Sequence, residues 1–154
     1  MAHEIERKFL VDPEKWKPSD QGTTITQAYL GLSPFPTVRI RIAGDKAFLT
    51  IKGRSLTISR PEFEYELPVA DAREMLKLAI SNPVEKIRYH VIHENFLWEV
   101  DVFSGKNAGL VVAEIELESE NQAFPLPNWI LKEVSYDGRY YNSYLSTCPF
   151  TEWE

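Results

Sequence analysis

Thr37-Val38-Arg39-Ile40-Arg41-Ile42-Ala43-Gly44-Asp45-Lys46-Ala47-Phe48-Leu49-Thr50-Ile51-Lys52 reads as two strands about a tight turn. Val38, Ile40 and Ile42 alternate with Arg39 and Arg41 on the first arm, and Leu49 and Ile51 alternate with Thr50 and Lys52 on the second. A period of two sends successive side chains to opposite faces of a strand, so each arm has one apolar and one polar face. Ala43-Gly44-Asp45-Lys46 fits a hairpin turn, because glycine adopts the positive φ such turns need. Strands joined this closely run antiparallel.

The same alternation appears on both sides of this hairpin, in Glu4–Val11, Thr24–Leu32, Glu62–Leu67, Val84–His93, Phe96–Phe103 and Leu110–Glu118. With Thr37–Ala43 and Lys46–Lys52 that makes eight candidate strands, and His93-Glu94-Asn95 reads as a second hairpin turn. Helical spacing is confined to Ala70–Ile80, with Ala72, Met75, Leu76, Ala79 and Ile80 on one side, Asp71 as its cap and Asn82-Pro83 as its stop. Trp129–Val134 and Arg139–Ser146 are weaker helical candidates. Eight antiparallel strands with few helices predict a mainly β (α+β) fold, a closed eight-stranded antiparallel β-barrel, since closure removes exposed edges. A sandwich is the competing architecture.

Length and composition set the bounds. The 154 residues suit one domain, 1–154, and a chain of this size buries roughly 70% of its unfolded surface. With 44% hydrophobic and 26% charged residues and a mean hydropathy of -0.30, the composition is that of a soluble globular protein. No apolar run is long enough to span a membrane, and the first fifteen residues carry seven charges where a secretory signal needs an apolar core, so a cytoplasmic location is expected. One cysteine, Cys148, makes neither an internal disulfide nor a multi-cysteine zinc site, and reads as a small buried residue. The 17 Lys+Arg and 23 Asp+Glu give a net charge of -6, a global field that repels nucleic acid. Any bound anion must be held by a local basic cluster.

The charges are concentrated on single strand faces. Glu4, Glu6 and Lys8 oppose Ile5 and Phe9; Glu62, Glu64 and Glu66 oppose Phe63, Tyr65 and Leu67; Lys86 and Arg88 oppose Ile87 and Tyr89. Glu99 and Asp101 oppose Trp98, Val100 and Val102, and Glu114 and Glu116 oppose Ala113, Ile115 and Leu117. Solvent faces of an amphipathic sheet explain any one such strand. Repeated over seven strands, with same-sign pairs on one face, the pattern is better explained by ions lying between the side chains. Carboxylates suit a hard divalent cation, and Arg and Lys suit phosphate oxygens. A metal-bound polyphosphate satisfies both sets.

Glu4-Ile5-Glu6-Arg7-Lys8 contains Glu-x-Glu-x-Lys at the extreme N-terminus, followed in order by Arg39-x-Arg41, Lys52, Glu62-x-Glu64, Lys86-x-Arg88, Asp101 and Glu114-x-Glu116. In this order and placement the chain, from Glu4 to about Tyr144, resembles the CYTH superfamily, the triphosphate tunnel metalloenzymes, and in particular its short bacterial members. The resemblance implies an eight-stranded antiparallel barrel whose charged face lines a hydrophilic tunnel. It also implies a metal-dependent triphosphatase, an acid-anhydride hydrolase acting on a small-molecule triphosphate with Mg²⁺ or Mn²⁺. Carried over to this chain, Lys8, Arg39, Arg41, Lys52, Lys86 and Arg88 would hold phosphate oxygens. Glu6, Glu114 and Glu116 would bind the first metal; Glu4 and Asp101 would place a second metal or orient the attacking water. Glu62 and Glu64 complete the acidic side. Tyr29 and Arg139 stand at positions that either contribute to the site or serve as a packing tyrosine and a surface arginine.

Among the activities so implied, inorganic triphosphatase leads, because the compact chain has no aromatic cluster for a base or thiazolium. Nucleoside or thiamine triphosphatase and class IV type adenylate cyclase are the enzymatic alternatives; a non-catalytic polyphosphate or metal binder is the alternative outside catalysis. No nucleic acid or membrane partner is expected, and a homodimer is left open. His3, His90 and His93 lack metal-ligand spacing and read as surface or structural groups, His90 sharing the face of Arg88. Trp16, Trp98, Trp129 and Trp153 read as packing groups.

Overall fold

The computed structural model describes residues 3–32, 34, 36–54 and 57–153. The opening hairpin forms as its pattern demands: β3 (Thr37–Ala43) pairs antiparallel with β4 (Lys46–Lys52) in continuous register from Thr37↔Lys52 to Ala43↔Lys46, with Gly44 at φ 60 in the turn. Before them lie β1 (His3–Val11) and β2 (Thr23–Gly31). After them come β5 (Ser59–Leu67), helix α1 (Val69–Leu76), β6 (Val84–His93), β7 (Phe96–Ser104), β8 (Val111–Glu116), β9 (Ile130–Glu133) and the short helix α2 (Asn142–Leu145). The β6–β7 hairpin turns on Glu94 and Asn95, both at positive φ.

Neighbours around the wall run β5-β4-β3-β2-β6-β7-β8-β1, and β1 pairs in turn with β5, closing eight antiparallel strands into a barrel. The closing seam is short. Only His3, Glu4 and Ile5 of β1 pair with β5, while Phe9 and Val11 pair with the ninth strand, β9, so that two strands share one edge of β1. Between them Glu6 N donates to Ile58 O at 3.4 Å, and Lys8 N donates to a side chain, Ser135 Oγ, at 2.9 Å.

The apolar faces point outward and are covered over much of the wall, though Phe63 and Tyr65 of β5 and Ile92 and Leu97 of the β6–β7 hairpin stay exposed. Phe9, Trp98, Val100, Ala113, Ile115 and Trp129 form one buried cluster with Trp16 and Phe124 packed on it. Ala72 and Met75 of α1 seal Ile40 and Ala47 of the opening hairpin. At one end the lumen itself turns apolar: Val84, Phe103, Val112 and Leu10 pack with Leu145 of α2. Inside and outside are therefore reversed along most of the barrel, and the ordinary rule returns where the C-terminal segment plugs it.

Some local expectations are corrected. Trp129–Val134 is not helical: Ile130–Glu133 is β9, held by long-range pairing to β1 that local spacing does not reveal. Helix α1 ends at Leu76, and Ile80 is exposed while its N–H donates to Tyr29 O at 2.9 Å. Asp71 does not cap it; the capping position is Pro68, without a side-chain hydrogen bond. Arg139–Ser146 divides into a 3-10 turn at Gly138–Tyr140 and α2. Among the described residues no helix is long and apolar enough to cross a membrane.

Candidate active site

Alternation carries the charged face of each strand into the lumen, and the register stacks the charges around it. Glu6 lies opposite Glu116 and Lys8 opposite Glu114 across β1–β8; Glu99 lies opposite Glu114 across β7–β8. Arg88 lies opposite Asp101, Tyr29 opposite Arg39, Thr50 opposite Glu64, Lys52 opposite Glu62 and, at the seam, Glu4 opposite Arg60. The result is a cavity of about 250 Å³ lined by Glu4, Glu6, Lys8, Tyr29, Arg39, Arg41, Lys52, Glu62, Glu64, Arg88, Glu114 and Glu116, together with Thr50, Arg60, Glu99, Tyr141 and Asn142.

Cations and carboxylates are connected across the lumen. Lys52 Nζ donates to Glu4 Oε1 at 2.8 Å and lies 3.3 Å from Glu62 Oε2. Arg39 Nη2 donates to Thr50 Oγ1 at 3.1 Å, and Thr50 Oγ1 donates to Glu64 Oε1 at 2.8 Å. Among the described residues Arg39 Nε is buried with no acceptor. A buried donor without a partner is costly, and a guanidinium N–H facing a polar cavity marks where an acceptor belongs.

Toward the plugged end the contacts are saturated. Lys86 Nζ, fully enclosed, donates to Asp101 Oδ2 at 2.7 Å and to Asn142 Oδ1 at 3.1 Å. Arg88 grips the same carboxylate with Nε and Nη2 at 2.8 and 2.9 Å. Gln27, also fully enclosed, accepts from Arg41 Nε at 2.7 Å and donates to Asn142 Oδ1 at 2.9 Å. Residues 140–143 lie across the barrel end: Lys8 Nζ donates to Tyr140 O at 3.1 Å, and the Tyr141 ring lies beneath Lys8 and Arg60.

The titration behaviour follows the same division. Burial raises Glu6 well above the usual carboxylate range, and Glu114 adds to the rise, while Lys8 and Arg88 overcome the burial of Glu114 and hold it well below. The two carboxyl groups sense each other, and their shifts run in opposite directions. Burial also raises Glu4 and Glu116. Burial opposes the charge on Lys52, but Glu6 and Glu4 outweigh it and raise the amine. Arg41 is lowered to about 9 by burial and by Arg39 and Arg88 beside it. Burial draws Lys86 down to about 7 against the pull of Asp101; Asp101 is held at about 2, since Lys86 and Arg88 outweigh its own burial.

All the expected site residues but three line the cavity. Lys86 and Asp101 face the barrel interior but lie beneath Asn142, paired with each other and outside the lining. Arg139 is corrected: it is exposed, bound to Asp137 Oδ2 at 2.6 Å and set over Tyr140 and Trp153, with no reach into the lumen. Sequence reasoning missed Arg60, Gln27 and Asn142. Gln27 was detectable as a residue sharing the face of Tyr29 on a strand otherwise low in charge; Asn142 had no such signal.

Among the described residues no three Asp, Glu, His or Cys side chains already surround one point as a metal requires. The donor set nevertheless fits a hard cation. Glu4, Glu6, Glu114 and Glu116 supply only oxygen, and the upward shifts of Glu4, Glu6 and Glu116 show negative charge there that nearby cations do not fully neutralise.

A family model described as CYTH domain matches residues 2–144. An inorganic triphosphatase of Acetivibrio thermocellus is 46% identical over 100% of this chain and 99% of its own length. One from Nitrosomonas europaea is 34% identical over 93% of this chain and 96% of its own. A solved inorganic triphosphatase structure aligns with a TM-score of 0.67 and 33% identity, covering 93% of this chain and 97% of that one.

Proposed function

This chain belongs to the CYTH domain family, and on that premise we propose that it hydrolyses inorganic triphosphate with the help of a divalent cation, Mg²⁺ or Mn²⁺. One observation carries the reading: five cations, Lys8, Arg39, Arg41, Lys52 and Arg88, share a single cavity with Glu4, Glu6, Glu114 and Glu116, and Arg39 Nε is buried there without an acceptor. The two full-length relatives named inorganic triphosphatases support the choice of substrate.

In this reading Arg39, Arg41 and Arg88 hold phosphoryl oxygens by forked hydrogen bonds, while Lys8 and Lys52 act as point charges. Glu6, Glu114 and Glu116 would hold the cation, which would supply Lewis-acid neutralisation of phosphoryl charge and a more acidic water. Glu4, held in place by Lys52, faces the cavity and orients the attacking water; Asp101 has both oxygens committed to Lys86 and Arg88 and serves instead to fix those two cations. Phosphoryl transfer asks a protein mainly for in-line positioning and for neutralisation of the phosphoryl oxygens, and these side chains supply both without a covalent nucleophile. Glu62 and Glu64 hold Lys52 and Arg39 in position. A single domain in the cytoplasm accords with the single cysteine, free in this structure.

The test is phosphate release from triphosphate, pyrophosphate, ATP and thiamine triphosphate, each with Mg²⁺, Mn²⁺ or chelator. Metal-dependent release fastest from triphosphate is expected. Binding of triphosphate without turnover would leave a polyphosphate binder in place of an enzyme.

A further inference from the structure

Between the cavity and the enclosed Lys86–Asp101 pair lie two neutral amides, and their wiring fixes which way one of them faces. Asn142 Oδ1 accepts from both Gln27 Nε2, at 2.9 Å, and Lys86 Nζ, at 3.1 Å. Gln27 Oε1 in turn accepts from Arg41 Nε at 2.7 Å, so the Gln27 amide is locked in the orientation that presents its NH₂ to Asn142. With its carbonyl oxygen claimed by two donors on the wall, Asn142 must direct its own NH₂ away from them. Asn142 lines the cavity, whereas Gln27 and Lys86 do not.

Beneath this layer the barrel holds Val84, Phe103, Val112 and Leu145, which leave no polar passage. An anion advancing down the lumen past Arg41 and Arg88 therefore stops at Asn142. A neutral donor suits that position. It offers N–H groups to a phosphoryl oxygen without adding to the crowding that already lowers Arg41 to about 9.

We propose that Asn142 is the end-stop of the tunnel and a substrate-binding residue: its side-chain NH₂ donates to the oxygens of a terminal phosphoryl group, and Gln27 is the positioning residue that holds it. The proposal rests on triphosphate, or another linear polyphosphate, being the ligand. It adds a restriction on substrate class, because the end that docks here must be an unesterified phosphoryl group, any ester substituent projecting toward the open side.

Two variants separate a contact from a strut. Asn142→Asp keeps an oxygen for Gln27 and Lys86 but replaces the donor with an acceptor. Asn142→Ala removes donor and acceptor together without adding charge. Both should raise KM for triphosphate about ten-fold or more, the size of one lost hydrogen bond to a charged group. The melting temperature should fall only for the alanine variant, and stabilisation by triphosphate should shrink in both. Wild-type KM in folded Asn142→Asp, with a defect confined to Asn142→Ala, would make Asn142 a strut for Lys86 and overturn the proposal. If the wild-type protein releases no phosphate, the function proposed above fails, and the end-stop is then decided by triphosphate-induced thermal shift alone: equal shifts in wild type and Asn142→Asp overturn it.

Discussion

Two buried clusters of charge lie on the inner wall of this barrel, one on each side of Asn142, and they are built to opposite plans. Below, Asp101 is surrounded by Lys86 and Arg88, every carboxylate oxygen has a cationic donor, and Asp101 and Lys86 are sealed from the cavity that Arg88 still lines. Above, Glu6 lies opposite Glu116 across β1 and β8, with Glu114 and Glu4 nearby, and burial together with Glu114 drives the Glu6 carboxyl well up. Glu116 is exposed where Asp101 and Lys86 are enclosed, but the larger difference lies in charge balance. A cluster that satisfies itself supports the fold; a cluster that repels itself is stable only because packing elsewhere holds it, and it is the one with capacity to take a ligand.

The comparison breaks most readily at Asp101. Asp101→Ala leaves Lys86 and Arg88 buried with no carboxylate between them, and should cost about 3–5 kcal/mol of stability in denaturant unfolding. Glu114→Gln, in contrast, should fold and reduce metal-dependent triphosphate turnover on the order of a hundred-fold, as expected for losing an anionic metal ligand. If instead Asp101→Ala keeps its stability and Glu114→Gln loses it, the two clusters have been assigned the wrong way round.

A smaller effect is expected at Arg41, which joins the two regions through Gln27. Arg41→Ala should raise KM or lower kcat about ten-fold while the protein stays folded. Unchanged triphosphate kinetics would remove this strand from the tunnel's binding surface.

The smallest effect is a slope. Glu6 in the folded, metal-free protein keeps a proton that the unfolded chain releases near 4.5, so stability should decline as pH rises from that value toward its raised one. Asp101 has the opposite sign: its contribution is complete above 3.8 and is lost as pH falls toward about 2. The limit for one proton is about 1.4 kcal/mol per pH unit. Unfolding of chelated protein across pH should show the decline, and Glu6→Gln should flatten it. A decline that survives in Glu6→Gln would assign it to another group.

Much of the barrel and its lining is legible in the amino-acid sequence because the inward face advertises itself. Arg39 and Arg41 alternating with Ile40, or Glu114 and Glu116 alternating with Ile115, disclose strand, face and charge in one pattern, and seven such patterns disclose a lumen. β9 is not legible: Ile130-Leu131-Lys132-Glu133 has no alternation and exists because β1 offers a free edge there. Nor does the pattern distinguish Asp101 from Glu114. Both are carboxylates on inward positions of neighbouring strands, and only register and the crossing C-terminal segment decide which one is saturated. Gln27 and Asn142 escape because a search led by charge passes over neutral amides.

The short seam of β1 has a consequence for how the chain is made. β1 is synthesised first, yet its partners on one edge are β8, near the far end, and on the other β5 and β9. While β2 to β5 can zip hairpin by hairpin as they emerge, and the β6–β7 hairpin then docks on β2, β1 has only β5 for its first few residues until β8 and β9 arrive. Non-local pairing of this kind is slow, and the waiting strand carries both Phe9 and the Glu6–Lys8 face. Closure of the barrel is therefore a late event, in which the first of these strands to be made is the last to be fully paired.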